Sequence, residues 1–126
     1  MAIKRDAADD WFSKCVRKRA GWVCEHCGNT ETLQCAHIFG RRAKSVRWCG
    51  MNAVSLCFSC HHNFTANPLD FTRWLEGHVG HGHLDILNEK RNAMMKTNAA
   101  LRKEIATHYR EQFKEILDGE EFDSWN

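Results

Sequence analysis

The stretch that decides the fold is LCFSCHHNF, Leu56–Phe64, in which two cysteines at C-x-x-C spacing run directly into two histidines. An earlier stretch, CEHCG at residues 24–28, has the same cysteine spacing and ends in glycine. The 29 residues from 28 to 56 separate the two pairs. Thiolates at this spacing can converge from two knuckles on one tetrahedral Zn²⁺. The predicted ligands of a structural zinc ion are Cys24, Cys27, Cys57 and Cys60.

Length and cysteine content favour a metal-binding domain in a reducing compartment. The 126 residues suit a single domain, 1–126, with a modest core. Seven cysteines without an export signal favour metal binding over disulfides. No apolar run approaches the roughly 20 residues that cross a membrane, so we expect a cytoplasmic protein without a membrane partner. Three cysteines lack a paired spacing and are predicted to be core thiols, with one of them, Cys35, a candidate near the zinc: Cys15, Cys35 and Cys49.

Local patterns predict an α+β arrangement around the two cysteine pairs. Residues 6–22, DAADDWFSKCVRKRAGW, carry acids at the start and bases at the end, as an N-terminal helix prefers. TLQCAHI at 32–38 and AVSL at 53–56 are predicted strands, and a basic loop at 39–52 joins them. We expect the next helix to begin near His61.

The C-terminal half is predicted to be helical. In NPLDFTRWLEG, Asn67 caps a helix and Pro68 lies in its first turn, whereas the glycine-rich GHVGHGH at 77–83 predicts a flexible connector. Apolar residues recur at helical spacing over 98–117, and this helix either packs against the motif or forms a homodimer. The predicted segments are a motif core at 24–66, a helical extension at 67–117 and a loose acidic tail at 118–126.

Charge is distributed unevenly along the chain. Residues 1–48 carry ten Lys/Arg and five Asp/Glu, or +5, and the remainder carries −3, which together give the net charge of +2. A basic first half fits a polyanionic partner such as DNA, and a solvated surface would carry the same charge.

Three polar residues lie between and just after the cysteine pairs, in the order histidine, asparagine, histidine: His37, Asn52 and His61. With the cysteine pairs, the sequence CEHCG…LQCAHI…MNAVSLCFSCHHNF resembles the HNH (His-Asn-His) endonuclease family, in its phage type with a four-cysteine zinc site. The run AHIFGRRAKSVRW is similar to phage recombination nucleases of the NinG (Rap) type. The resemblance implies a small treble-clef zinc domain that carries a ββα-metal motif, flanked by an N-terminal helix and C-terminal helices.

The resemblance also implies roles for these residues. His37 corresponds to the general base, for which an imidazole of near-neutral pKa is suited. His61 corresponds to a ligand of a catalytic divalent metal, Mg²⁺ or Mn²⁺, with His62 as the alternative if the helix starts one residue later. Asn52 either ligates this metal or orients the base. Many family members have Asp or His directly before the first motif histidine, where this chain has Ala36.

The function implied is metal-dependent hydrolysis of DNA phosphodiester bonds, by nicking or cleavage of duplex or branched DNA, in phage DNA processing or recombination in a bacterial host. The alternative is a non-catalytic zinc-stabilised module that binds DNA or a phage protein. The two hypotheses differ in what Ala36 means. In a nuclease the catalytic metal would be held by fewer protein ligands, whereas in a binding module the catalytic metal would have been lost. Four basic residues after the base are predicted to contact phosphate, because arginine and lysine suit phosphate oxygens: Arg41, Arg42, Lys44 and Arg47.

Overall fold

A computed structural model describes residues 4–126 as a small α+β fold, in which five helices surround a two-stranded antiparallel sheet. Residues 1–3 of the predicted domain lie outside the described residues. A short 3₁₀ turn at Gly50–Asn52 precedes the second strand. The elements in chain order are α1 (Ala7–Arg19), β1 (Leu33–His37), β2 (Ala53–Cys57), α2 (Phe58–Ala66), α3 (Pro68–His78), α4 (His81–Arg91) and α5 (Ala99–Glu115). None of these helices is long and apolar enough to cross a membrane.

Helix α1 forms where its terminal signals predict it. The Asp6 side chain accepts the Asp9 backbone N–H and the Asp9 side chain accepts the Asp6 N–H, which is a capping box that satisfies two donors of the first turn. Basic residues occupy the last turn, and Gly21 follows with a left-handed φ of 72°. A glycine takes this conformation at no steric cost, so the chain turns sharply towards the first cysteine pair.

The two strands form a hairpin that brings the cysteine pairs together. Leu33 pairs with Cys57 and His37 pairs with Ala53, so the start of β1 lies beside the end of β2. The connecting loop, residues 38–52, spans the other end of the hairpin. Strand β2 is buried along its whole length. His37 therefore lies at the loop end of the hairpin, and Cys57 at the opposite end.

Helix α2 begins earlier than the sequence predicted. It starts at Phe58, three residues before His61, because Cys57 acts as its N-cap and its sulfur accepts the Cys60 backbone N–H at 3.5 Å. His61 consequently lies on the helix rather than at its start. A later helix start, which would have favoured His62 as a ligand, does not occur, and His62 is exposed.

The main core joins the two ends of the chain. Phe12 and Val16 of α1 pack with Ile105 and Tyr109 of α5, together with Trp48 from the loop. The Tyr109 hydroxyl donates to the Trp48 carbonyl, which fixes the loop against α5. The predicted C-terminal helix therefore packs within the chain, but chiefly on α1 rather than on the motif core at 24–66.

Two segments predicted to be loose are ordered. The glycine-rich connector is short, because Gly80 turns with a left-handed φ of 86° and α4 starts at His81. The acidic tail packs back on the core, where Phe122 is 4% exposed. Burial of its aromatic side chains stabilises this position more than the solvation of its charged residues opposes it. The Asn126 amide donates to the Ser45 carbonyl and so closes the chain end on the loop.

Candidate functional site

The two cysteine pairs converge at one point of the surface. Among residues 4–126, the four sulfurs of Cys24, Cys27, Cys57 and Cys60 form the only group of three or more metal-ligating side chains, all within 4.8 Å of one another. The Cys27 and Cys57 sulfurs are 3.7 Å apart. Tetrahedral zinc with Zn–S bonds of about 2.3 Å requires sulfurs about 3.8 Å apart. The four thiols could therefore hold a metal such as zinc.

Each pair forms the same local knuckle. The Cys27 backbone N–H donates to the Cys24 sulfur at 3.4 Å, as the Cys60 N–H does to the Cys57 sulfur at 3.5 Å. Burial opposes ionisation of Cys24, but backbone hydrogen bonds from Cys27, Cys57 and His26 outweigh it and lower its pKa to about 7. Amide donors aimed at the Cys24 sulfur favour its thiolate, which is the form that binds metal.

The other three cysteines lie outside the cluster. Cys35 belongs to the core side of β1, and burial raises its pKa to about 12, as it does for Cys15. Cys49 is buried beside Val46 and Leu87. Cys35 is half-buried, and its sulfur is not among the four that lie within 4.8 Å of one another. Cys35 is therefore a core residue rather than a zinc ligand, although the sequence offered it as a candidate.

A second site is a cleft of about 330 Å³ between α1, the end of β1 and the start of α2. His37 and His61, which are 24 positions apart in the sequence, both line it, and so does Arg41. Helix α1 closes the opposite side with Asp9 and Ser13, joined by Arg5, and the remaining lining residues are Cys35 and Gly40. Two of the three histidine–asparagine–histidine side chains therefore share one polar cleft.

His37 is held in a defined tautomer. Its Nε2 lies 3.0 Å from the Arg47 carbonyl oxygen, which can only accept, so Nε2 carries the proton. Burial lowers the pKa of His37, partly offset by this hydrogen bond, and its ring packs against Phe12 at a centroid distance of 5.8 Å. At neutral pH the ring is uncharged and Nδ1 carries a lone pair, which is the form required of a proton acceptor.

His61 is held by a neighbour on the hairpin. Its Nδ1 lies 2.6 Å from the Gln34 side-chain oxygen, so Nδ1 is the protonated nitrogen and Nε2 carries the lone pair. Burial lowers the pKa of His61 as well. A fixed tautomer of this kind is typical of a metal-ligating imidazole, whose other nitrogen is held by an oxygen.

Asn52 does not lie free in the cleft. It is fully buried, its Oδ1 accepts the Phe39 N–H at 2.8 Å, and its Nδ2 donates to the Phe39 and Val46 carbonyls at 2.8 and 3.0 Å. These bonds tie both ends of the loop that carries the Arg47 carbonyl. Asn52 therefore holds the loop whose Arg47 carbonyl accepts from His37, and its amide is already occupied at both ends by protein partners.

The four residues predicted to contact phosphate lie in different environments, and three of them are accessible to a ligand. Arg42 and Lys44 are exposed on the loop, and Arg41 lines the cleft with its Nη1 buried. Arg41 Nη1 has no hydrogen-bond partner within residues 4–126 and lies 3.7 Å from an Asp9 oxygen. An arginine in this position can offer donors to an anion that enters the cleft.

The prediction that Arg47 contacts phosphate is wrong, because its side chain is buried. It is 6% exposed, its Nε donates to Asp9 at 3.0 Å, and its Nη2 donates to Asp9 at 2.5 Å and to the Lys4 carbonyl at 3.0 Å. The predicted phosphate contact is incompatible with this burial. Burial opposes ionisation of Asp9, but the hydrogen bonds and charge of Arg47 outweigh it and lower the pKa of Asp9. Arg47 is a structural cation whose counter-ion lies on α1.

Asp9 is the site residue that sequence reasoning missed. It accepts from Arg47 and from Trp48 Nε1, at 3.1 Å in the second case, and it lines the cleft beside His37. In the sequence, the preference of a helix N-terminus for acidic residues was a sufficient explanation for Asp9, so its pairing with Arg47 was not predicted. One signal was present, since Asp9 precedes Phe12, Ser13 and Val16 at helical spacing and so shares their buried face.

The two sites are linked through α2, because Cys60 of the thiol cluster and His61 of the cleft are adjacent on that helix. Binding of a metal by the cysteines would therefore also fix the position of His61. The cleft itself presents the imidazoles of His37 and His61 and the half-buried Arg41, a set that suits an anionic ligand. No family model matches the chain, and neither a curated protein nor a solved structure matches it.

Proposed function

We propose that this protein is a metal-dependent DNA endonuclease of the HNH type, built on a zinc-stabilised treble clef with a ββα-metal hairpin. The observation that carries the proposal is the position of His37, which is kept uncharged by burial and held in one tautomer by the Arg47 carbonyl, in the same cleft as His61 and Arg41. The order of these residues between the cysteine pairs, and the resemblance it carries, supply the reaction class.

His37 acts as the general base. Its Nδ1 takes a proton from a water molecule, whose oxygen then forms a bond to phosphorus while the bond from phosphorus to the 3′ oxygen breaks. Because its pKa is lowered, His37 is unprotonated at pH 7 and can accept a proton. The Arg47 carbonyl stabilises the imidazolium that results, because it accepts from Nε2 throughout.

His61 offers Nε2 as an imidazole ligand for Mg²⁺ or Mn²⁺, while Gln34 holds Nδ1. When bound, the cation supplies charge stabilisation for the phosphate and for the leaving oxygen. Ala36 is buried and apolar, and the Asn52 amide and the Asp9 carboxylate are occupied by protein donors. Water and phosphate oxygens would complete the shell, which is an arrangement that Mg²⁺ commonly adopts.

Arg41 binds the phosphate that enters the cleft. Its buried Nη1 is paired with Asp9 at 3.7 Å but makes no hydrogen bond within residues 4–126, so an anion in the cleft would supply the missing hydrogen bond. The exposed Arg42 and Lys44 follow on the same loop and extend the positive surface towards the DNA backbone. Such contacts position a duplex without reading its sequence.

A second candidate function is a zinc-stabilised module that binds DNA without cutting it. The specific observation in its favour is that the cleft offers one imidazole ligand and, among residues 4–126, no unoccupied carboxylate, since Asp9 is paired with Arg47. A site of this kind would bind a divalent cation weakly. This candidate predicts DNA binding that falls with salt, together with an absence of nicking.

Nicking of supercoiled plasmid in Mg²⁺ or Mn²⁺ tests the proposal. Wild type is compared with His37→Ala and with His81→Ala, an exposed histidine at the start of α4 that lies outside the cleft. All proteins are matched for zinc content. We expect wild type and His81→Ala to nick equally, and His37→Ala to lose at least about 100-fold, as general-base removal does elsewhere.

Each outcome separates the candidates. If no variant nicks although all hold zinc and bind DNA, the binding module is correct. If His37→Ala nicks as fast as wild type, the activity has another base and the assignment is wrong. His61→Ala and His62→Ala complete the series, because only the first is expected to raise the Mg²⁺ concentration needed for half-maximal nicking.

A further inference from the structure

The cleft at His37 continues along α1. A second cavity of about 310 Å³ shares Arg5, Ser13, Cys35 and His61 with the first, so the two form one groove between α1 and β1. We call this the α1–β1 groove. Its distal part is lined additionally by Arg17, Leu33 and Gln34, and no carboxylate is among the described residues that line it.

The bases of α1 do not contribute equally to this groove. Lys18 donates to the Phe113 carbonyl at 2.8 Å, and Arg19 donates to the Gly50 and Ala53 carbonyls, both at 2.9 Å. Lys14 lies over the Trp11 ring at 4.3 Å. Each of these three has a structural contact outside the groove. Arg17 is the base of this turn that lines it.

Arg17 is held in place without being neutralised. Its Nε donates to the Ser13 carbonyl at 3.2 Å, and its guanidinium carbon lies 5.6 Å from the Trp22 ring centre. Within residues 4–126, its two Nη groups have no hydrogen-bond partner and no carboxylate pairs with it. Burial lowers the pKa of Arg17, but a guanidinium remains charged at any working pH. A fixed, half-buried cation without a counter-ion favours an anionic ligand.

Arg5 lies where the two parts of the groove meet. It pairs with Asp10, with side chains 53% and 56% exposed, and exposed pairs of this kind contribute little stability. A phosphate can therefore displace Asp10 at small cost. Arg41, Arg5 and Arg17 thus supply a cation to the proximal part, the junction and the distal part of the same groove.

We propose that Arg17, assisted by Arg5, forms a second phosphate subsite, so that one DNA strand follows the α1–β1 groove. The scissile phosphate lies between His37 and Arg41, and the neighbouring phosphate of the same strand lies at Arg17. This inference rests on the proposed function for the identity of the ligand as DNA. It assigns α1, which lies outside the histidine–asparagine–histidine motif, a part in binding the substrate.

The test measures binding separately from cleavage. A fluorescein-labelled single strand of about 12 nucleotides, within the range of known single-strand site sizes, and its duplex are titrated with zinc-loaded full-length protein in a series of KCl concentrations without Mg²⁺. Arg17→Met keeps an apolar stem against Trp22 and removes the charge, whereas Arg17→Lys keeps the charge. Lys14→Met is the matched control, three residues away on the same helix and outside the groove. Zinc content and helical circular dichroism are matched throughout.

We expect Arg17→Met to weaken binding about 5- to 10-fold and to reduce the slope of log K against log[KCl] by about 0.7 for the single strand, as the loss of one phosphate contact requires. Arg17→Lys should keep the slope, and Lys14→Met should match wild type. Equal effects of Arg17→Met and Lys14→Met would overturn the subsite. If Arg17→Met does not hold zinc, Arg17→Gln with the same Lys control replaces it.

Cleavage kinetics then distinguish this inference from the proposed function. If wild type nicks and Arg17→Met raises KM about 5-fold with kcat unchanged, as loss of uniform binding requires, both are supported. If wild type nicks and Arg17→Met behaves like wild type in binding and in KM, the subsite is wrong and the nuclease stands. If wild type does not nick but Arg17→Met lowers affinity and slope, the subsite stands in a protein that only binds DNA.

Discussion

Nε2 of His37 lies 3.0 Å from the carbonyl oxygen of Arg47, and the side chain of that same Arg47 is paired with Asp9 on α1. One residue therefore fixes the tautomer of the proposed base through its main chain and secures the loop through its side chain. The pair is buried, with side chains 7% and 2% exposed. The N-terminal helix, outside the cysteine framework, thus contributes to the geometry of the cleft.

Breaking this pair should unfold the loop. Asp9→Asn leaves the Arg47 guanidinium buried without a counter-ion, and removal of one partner of a buried pair costs about 3–5 kcal/mol. Asp10→Asn, one position along the helix, loses an exposed pair and should cost less than about 1 kcal/mol. Urea denaturation measures both. Equal costs would show that the Asp9–Arg47 pair does not hold the loop.

The stability of the protein should depend on pH in part through His37, with His61 contributing in the same direction because burial lowers its pKa too. Burial lowers its pKa in the folded state, whereas the unfolded chain titrates near 6.5. Below about pH 6.5 the unfolded state binds a proton that the folded state resists, so the free energy of unfolding decreases as the pH falls through this window. Above about pH 6.5 the contribution of the neutral ring is fully present.

His37→Gln should reduce this slope, which is at most about 1.4 kcal/mol per pH unit for one proton. His81→Gln, at an exposed position, should leave it unchanged. Urea denaturation at several values between about pH 5 and pH 8, the range in which histidine titrates, measures the slope for each protein. A slope in His37→Gln identical to that of wild type would show that His37 titrates equally in the folded and unfolded chains. For wild-type nicking, the same lowered pKa places the acid limb of the pH profile below about 6.5.

Asn52 should behave as a structural tie of the loop. Asn52→Ala removes three buried hydrogen bonds and leaves two carbonyls and one N–H unsatisfied, each at about 1–3 kcal/mol, so we expect a loss of about 3 kcal/mol or more. Asn67→Ala is the control, since it also loses a bond to a carbonyl, at 2.9 Å, but at an exposed site. If Asn52→Ala abolished nicking at unchanged stability, Asn52 would act on the reaction directly.

Metal binding by the four cysteines should be a condition for folding. Cys60→Ser removes one ligand of the cluster, whereas Cys35→Ser changes a thiol outside it. We expect one zinc per chain in wild type and Cys35→Ser, and none in Cys60→Ser. Structural zinc contributes roughly 10 kcal/mol or more to small domains, so a chelator should abolish the thermal transition of wild type. Retention of zinc by Cys60→Ser would contradict the assignment.

Features with local causes were predictable from the sequence. Helix α1 follows from Asp6 and Gly21 at its ends, and the hairpin follows from two short apolar runs between the cysteine pairs. The antiparallel register then brings the four cysteines together. Each of these follows from residues close in sequence or from a repeated spacing.

Features that depend on tertiary partners were not predictable. Arg47 belongs to a basic run, and only its contact with Asp9, 38 positions away, distinguishes it from the exposed Arg42. Helix α2 starts early because a cysteine sulfur serves as its cap, which residue propensities do not include. The acidic composition of the tail predicted a loose segment, and nothing in the local sequence indicated that Phe122 packs in the core.

That tail supplies the last prediction. The Phe122 ring packs against Tyr109 and lies so close to Gly50 that an added Cβ there would stand 3.1 Å from it. The guanidinium carbon of Arg19 lies 4.8 Å from the centre of the same ring. Phe122→Ala should therefore cost about 3–5 kcal/mol, as loss of a buried phenylalanine does in other cores. Leu117→Ala, at a position that is 71% exposed, should change stability by less than about 0.5 kcal/mol.

Thermal denaturation of both variants measures this difference. Because Gly50 leads directly into Asn52 and β2, the tail stabilises the strand end that faces the cleft. Phe122→Ala should therefore also lower nicking activity at temperatures where Leu117→Ala is fully active. A Phe122→Ala protein as stable as Leu117→Ala would mean that the tail is detached in solution.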